Sequence, residues 1–170
     1  EERPVIGQIA NEVREAIERF ATKYYASIMS LAYFYFPMIE QELINAGLPI
    51  ELRTLAVIES ALNPLATSSA GARGIWQFMP VTGKEYGLEV NNYVDERYHI
   101  EKATRAACEY LKKSYEKFGN WMSVAASYNA GISNISRRTE SQKEDNAINM
   151  ALPAETSRYI FRLLAAKTIF

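Results

Sequence analysis

A chain of 170 residues has the length of about one domain, and 48% hydrophobic against 23% charged residues is enough to build a packed core. Eight glycines and six prolines exclude collagen-like and low-complexity readings, while Cys108 as the sole cysteine excludes a disulfide framework and, with His99 as the sole histidine, a zinc site. Nineteen basic and 20 acidic residues leave a net charge of −1 with no long basic run, so neither nucleic acid nor a metal or other cofactor is an expected partner.

Helical patterns follow one another along the chain. Between Pro4 and Gly47, the residues Ile9, Val13, Ala16, Ile17 and Phe20 recur at three- and four-residue steps, one face of a first helix. A second is expected from Thr22 to about Phe34. Pro37 suits the first turn of a third, Met38 to Ala46, which Gly47 stops. Leu48-Pro49 opens a fourth, Ile50 to about Ala61, and Asn63-Pro64 ends it. Leu65 to Asn92 is rich in Gly, Ser, Thr and Pro and reads as irregular, with room for a short strand or one helical turn.

Asp95 caps or leads into a long helix, Ile100 to Phe118, whose apolar face reads Ile100, Ala103, Ala107, Tyr110, Leu111 and Phe118. Met122 to Asn129 forms a short helix that stops at Gly131. Ser133 to Asn149, polar and charged, reads as a solvated loop or frayed helix, and a last helix follows Pro153. The longest apolar stretch, Ile28 to Ile39, contains Ser30 and Pro37 and falls short of the roughly 20 residues that span a bilayer. Glu1-Glu2-Arg3-Pro4 carries neither an initiator Met nor a signal-peptide pattern, so a piece of something longer is expected, with any membrane tether outside it. The expected organisation is mainly α and a single domain over 1–170, with N-terminal helices in 1–47 and a motif-bearing core in 48–170.

Chemistry concentrates on the fourth helix. Leu52, Leu55, Ala56 and Glu59 fall at i, i+3, i+4 and i+7, and Val57 and Ile58 beside them are apolar too. Such a helix is expected to be buried nearly all round, and a carboxylate at its end is expensive unless paired or hydrogen-bonded. Burial would raise its pKa, as a general acid near neutral pH requires. The competing reading is a structural ion pair, with Arg73 as the candidate partner. Glu51 lies roughly 12 Å along the axis and about 80° round, a poor fit to the roughly 5–9.5 Å of paired glycosidase carboxylates. A second acid would have to come from elsewhere, with Glu85, Asp95 and Glu155 as candidates.

Ser68-Ser69-Ala70-Gly71-Ala72-Arg73-Gly74 reads as a tight loop without the Gly-Lys-Ser/Thr ending of a phosphate-binding loop. In Ile75-Trp76-Gln77-Phe78-Met79-Pro80, Trp76 and Phe78 suit core packing, whereas the amide of Gln77 must find partners, of which a sugar hydroxyl or acetamide is one kind. Tyr128-Asn129-Ala130-Gly131 reads either as helix-terminal capping or as two side chains offered to a ligand. Glu155 is explained by the helix dipole alone, His99 by a surface or capping role, and Cys108 by packing. With one His and no G-x-S-x-G, a serine-triad hydrolase is hard to build.

Four ordered blocks carry a family resemblance: Ile58-Glu59-Ser60-Ala61-x-Asn63-Pro64; Ala70-Gly71-Ala72-x-Gly74-x-Trp76-Gln77-Phe78-Met79-Pro80-x-Thr82-Gly83; Tyr128-Asn129-Ala130-Gly131; and Leu152-Pro153-x-Glu155-Thr156-x-x-Tyr159. Together, and with Val94-Asp95-Glu96-Arg97 and Glu101-Lys102-Ala103-Thr104 between them, they resemble the catalytic domain of the lytic murein transglycosylases, on the side of the membrane-bound D type. The resemblance implies a lysozyme-like, goose-type helical fold with a short irregular or small-β segment around 65–92. It also implies cleavage of the MurNAc–GlcNAc β-1,4 bond of peptidoglycan without consumption of water, in the periplasm or cell envelope of a bacterium.

The family's single acid/base falls on Glu59, and substrate-lining positions fall on Ser68, Gln77, Met79, Tyr128, Asn129, Glu155 and Tyr159. Ser127, where the family more often has Ala, and Ile132-Ser133, where Pro-Gly is common, depart from the pattern. So does 146–151, which lacks the aromatic residues often seen before Leu-Pro. The rivals are a hydrolytic muramidase on the same fold and a catalytically silent peptidoglycan-binding domain.

Overall fold

Apolar residues at helical spacing dictate an almost wholly helical chain. The computed structural model describes residues 6–23 and 25–170. In chain order come α1 (Ile6–Lys23), α2 (Tyr25–Asn45), α3 (Thr54–Ser60), α4 (Pro80–Glu85), α5 (Ile100–Phe118), α6 (Trp121–Ala130), α7 (Ile132–Gln142) and α8 (Ala154–Ile169). Single 3-10 turns stand at Ile50–Arg53, Glu96–Tyr98 and Ala147–Asn149. β pairing among the described residues amounts to the isolated bridges Thr67–Arg73, Arg73–Phe78 and Val90–Asp95, so the irregular segment expected near 65–92 is loop plus the short α4. Among the described residues, no helix is long and apolar enough to cross a membrane. The fold is mainly α, as the sequence reading requires.

The chain divides into two compact units, residues 24–112 and residues 1–23 with 113–170. In the 24–112 unit, α2 runs through Pro37 without a break, where the sequence pattern predicts a second helix ending and a third beginning. A proline inside a helix removes one N–H and crowds the carbonyl four residues back, costing about 3 kcal/mol. What offsets this is continuity. Ile28, Ala32, Phe36, Ile39 and Leu43 form one buried stripe on both sides of Pro37, and a break there would throw half of it out of register. Arg53 ties the 3-10 turn back to α2 through an ion pair with Glu40, its guanidinium 4.6 Å from the Phe36 ring centroid. Pro4, from which the first helical pattern is counted, lies outside the described residues.

The other unit is built on helix-to-helix packing. α1 packs against α8, and α6 against both α7 and α8. Its core joins Ala126, Ile135, Ala147, Met150, Leu152 and Ile160. Asn120 caps α6, its Oδ1 accepting from the Ser123 N–H at 2.9 Å. Ser133–Asn149, expected as a solvated loop or frayed helix, instead holds α7 and a 3-10 turn. Several of its polar side chains are bonded to backbone rather than left to solvent. Arg138 Nη1 and Gln142 Nε2 both donate to the Ala151 carbonyl at 2.9 Å, and the Ala151 N–H donates to Gln142 Oε1 at 2.7 Å. Ile135, fully buried, anchors the helix to the core.

Candidate active site

The helix carrying Glu59 begins as a 3-10 turn and becomes α-helical at Thr54. Thr54 through Ile58 are all buried, whereas Glu59 and Ser60, the last two residues of α3, are half-buried. The carboxyl thus sits at the accessible end of an enclosed helix, less desolvated than the all-round burial that the sequence predicts. Beyond it the chain turns sharply. Ala61 (φ 52°) and Leu62 (φ 61°) are successive left-handed residues, a conformation costing roughly 1–3 kcal/mol each for side chains other than Gly. Leu62 is fully buried, and burying such a side chain contributes about 1.5–3 kcal/mol in the opposite direction.

Ser60 joins this helix end to the next motif. Its Oγ donates to the Ile75 carbonyl at 2.8 Å, so Glu59 is one residue and Gln77 two residues from a direct contact. Gln77 is itself left-handed (φ 51°) and half-buried. Its Nε2 donates to the carbonyls of Gly74 (2.8 Å) and Ala66 (3.2 Å), using both amide hydrogens on the loop and leaving Oε1 as the acceptor side. Trp76 and Phe78 on either side are core residues, and Trp76 Nε1 donates to Thr104 Oγ1 at 2.9 Å. Met79, 42% exposed, opens α4 just before Pro80. Ser68 closes the neighbouring turn, its Oγ accepting from the Ala72 N–H at 3.0 Å.

One guanidinium braces this loop. Arg97, only 3% exposed, forks onto Asp95, with Nε–Oδ1 at 2.8 Å and Nη2–Oδ2 at 2.7 Å. Its Nη1 donates to the carbonyls of Gly71 (2.9 Å) and Phe78 (3.0 Å). Arg73 donates to the same carboxylate, Nη1 to Oδ2 at 2.9 Å, so the guanidinium expected as a partner for Glu59 is engaged on Asp95. The hydrogen bonds from Arg97 hold the Asp95 carboxyl below the usual carboxylate range, against some desolvation and with help from Arg73. The sequence alone offers Asp95 as a helix cap, a spare acid and one letter of a motif. It does cap the 3-10 turn at Glu96–Tyr98, accepting from the Arg97 N–H. Its larger role, and that of Arg97, depend on carbonyls about 20 residues away, which no local pattern announces.

The remaining expected positions lie in the other unit. Tyr128 and Asn129 occupy the last turn of α6, half-buried, before Gly131 (φ 87°) ends it. Glu155 is exposed in the first turn of α8, and Tyr159, one turn further, is 5% exposed. The departure at Ser127 is accommodated locally, because Ser114 Oγ lies 2.6 Å from Ser127 Oγ while the latter donates to the Val124 carbonyl at 2.7 Å. His99 is exposed, and burial pushes the Cys108 thiol up to about 12, leaving it a packing residue. Among the described residues, no cluster of three or more His, Cys, Asp or Glu side chains stands ready for a metal.

Comparison with known proteins places this arrangement. The family described as the transglycosylase SLT domain matches residues 36–151, well over half of the chain. The chain belongs to that family. It is 33% identical over 140 residues to membrane-bound lytic murein transglycosylase D of Escherichia coli K12, covering 79% of this chain and 31% of that protein. Two solved structures share the fold at lower identity. One is the 70 kDa soluble lytic transglycosylase of Escherichia coli (TM-score 0.66, 21% identity, 95% of this chain and 30% of that one). The other is an inactive mutant of the lytic transglycosylase Slt from Pseudomonas aeruginosa (TM-score 0.61, 22% identity, again 95% and 30%). This SLT domain therefore spans about a third of the length of these relatives, and its all-α, lysozyme-like architecture is theirs.

Proposed function

We propose that this SLT domain is a lytic transglycosylase that cleaves the MurNAc–GlcNAc β-1,4 bond of peptidoglycan glycan strands and leaves 1,6-anhydro-MurNAc ends. The observation that carries the reading is the contrast between two acids of one unit. Glu59 stands at the accessible end of a buried helix, inside the matched family segment. Asp95, one of the candidates for the second acid a hydrolase would want, has its carboxylate engaged by two guanidinium groups and its proton affinity lowered, which makes it a weak general base. The match over 36–151 supports taking 1–170 as one domain, and the name of the Escherichia coli relative supports a bacterial cell envelope as the place of action.

Protonated Glu59 donates to the glycosidic oxygen as the bond to C1 breaks and oxocarbenium character develops. The 2-acetamido oxygen of the substrate stabilises C1 in place of an enzyme carboxylate, an accepted exception to the two-carboxylate rule. Glu59, now ionised, takes the proton of the muramyl C6 hydroxyl, whose oxygen attacks C1 and closes the anhydro ring. One residue serves as acid and then as base. Ser68, Gln77, Met79, Tyr128, Asn129, Glu155 and Tyr159 are the side chains we assign to binding the sugars around that bond.

The test is the chemistry of the new chain end. Digestion of purified peptidoglycan should give muropeptides lighter by one water than hydrolytic products, with termini that borohydride leaves unchanged. An intramolecular hydroxyl held correctly outcompetes water through its high effective concentration. Reducible ends carrying oxygen from labelled water would make the protein a muramidase. Sacculi that stay intact would make it a binding domain.

A further inference from the structure

We propose that Arg97 is a positioning residue for the reaction, fixing through its fork on Asp95 and its bonds to the Gly71 and Phe78 carbonyls the loop that presents Gln77. The inference rests on the function proposed above, in which Gln77 meets substrate. Arg97 is almost completely enclosed and directs four of its five side-chain N–H donors to fixed acceptors. The two carbonyls it holds bracket the stretch 71 to 78, within which Gln77 sits immediately before Phe78.

The backbone of Arg97 closes the same stretch from another side. A Cβ placed on Gly74 would lie 1.8 Å from the Arg97 carbonyl oxygen, so chain and clamp are in direct contact. Between these fixed points Gln77 adopts left-handed φ, a conformation that persists only where the surroundings over-determine it. Its amide spends both hydrogens on Gly74 and Ala66, which sets the direction of Oε1, the atom able to accept from a sugar hydroxyl or an acetamide N–H. Loosening the clamp would let Gln77 relax towards ordinary φ and swing that acceptor away. An ammonium cannot replace the fork, because it offers a point charge rather than planar donors at fixed angles.

A purely structural Arg97 would matter only to stability, and the experiment separates the two. Arg97→Lys, assayed on purified glycan strands well below its unfolding temperature, should lower kcat by about 10–100-fold with KM within about threefold, the range expected when a contacting group is misplaced by up to an ångström. Asp95→Asn, which leaves both carbonyl bonds in place, should show a smaller loss of the same kind if Arg97→Lys fails to fold. In a Gln77→Ala background the Arg97→Lys change should cost less than about threefold, because the residue it acts through is gone. Hydrogen exchange at the Trp76 indole N–H, followed by NMR, reports the loop without any turnover and should accelerate at least about tenfold in Arg97→Lys relative to α6 amides. A folded variant with kcat near wild type, losses that add in the double mutant, or unchanged indole exchange would each overturn the proposal. A wild-type protein inactive on peptidoglycan would instead sink the functional reading, while the indole measurement still judges the clamp.

Discussion

Residues 61–98 of one unit and residues 121–160 of the other both carry motif positions, and they hold them by different physics. In 61–98 the buried side chains Leu62, Ile75, Trp76 and Phe78 root the loop in the core, but they do not by themselves fix its turns. Its shape comes from three left-handed residues other than Gly (Ala61, Leu62 and Gln77), an enclosed guanidinium and a carboxylate shared by two arginines. In 121–160 the motif residues sit at the end of α6 and the beginning of α8, over a core of Ala126, Ile135, Met150 and Ile160. The first region adds directional bonds and backbone strain to its burial, whereas the second rests mainly on burial. The first should therefore be unforgiving of small backbone changes, and the second should tolerate any change that preserves volume and polar partners.

The largest expected effect puts chemistry on one side of that comparison. Glu59→Gln keeps the volume and hydrogen-bonding capacity of the side chain but can neither give nor take the catalytic proton, so turnover should fall by about 10²–10⁴-fold or more. Circular dichroism should show the fold retained, and release of soluble muropeptides from sacculi gives the rate. A folded variant with near-normal turnover would move the acid elsewhere.

Two glycines sharpen the comparison without touching chemistry. Gly74 (φ 79°) and Gly131 (φ 87°, ψ 142°) both have positive φ, so alanine at either is strained by roughly 1–3 kcal/mol from conformation alone. They differ in space. A Cβ on Gly131 meets nothing within 4 Å, whereas one on Gly74 collides with the backbone of Arg97. Urea midpoints should show Gly74→Ala the more damaging by at least about 2 kcal/mol, in the range reserved for overpacking against groups that cannot retreat. Equal losses would mean that the loop is softer than its hydrogen bonds indicate.

Much of this was legible beforehand, and the exceptions share a cause. Glu59 stood out because a carboxylate on an apolar helix is a local contradiction, and α5 because its apolar face repeats over five turns. The sequence pattern points to a helix start at Pro37, because local rules weigh the ring and cannot weigh a stripe that is buried only once the helix packs. The 133–149 segment departs from its sequence pattern for the converse reason. Arg138 and Gln142 look solvated until the Ala151 backbone returns to meet them. Arg97 appeared only as one letter of a motif, because its acceptors at Gly71 and Phe78 are brought to it by the loop.

Polar satisfaction in the burial-dominated region gives a smaller effect. Ser127→Ala leaves the buried Ser114 hydroxyl without its neighbour and should lower stability by about 1–3 kcal/mol, whereas Ser114→Ala with Ser127→Ala removes both hydroxyls and should recover part of the loss. A double variant worse than the single by the full sum would show that the two hydroxyls act independently.

The smallest effect is a pH dependence confined to the polar-braced region. The Asp95 carboxyl is held below its ordinary value of 3.8, chiefly by hydrogen bonds from Arg97, so the folded chain binds its proton less readily than the unfolded chain does. The stabilisation that follows is fully present above about pH 5, beyond the unfolded value, and is lost as pH falls through the depressed folded value. Asp95→Asn has no such proton to bind. Its stability deficit against wild type, read from urea midpoints, should be greatest between pH 5 and 7 and shrink steadily toward pH 3, where unfolding of the wild type takes up a proton at Asp95. Salt should change it little, because the pair is mostly shielded from solvent, with side chains 3% and 13% exposed. A deficit independent of pH would mean that Asp95 contributes shape and hydrogen bonds but not charge, and the loop would then be held by geometry alone.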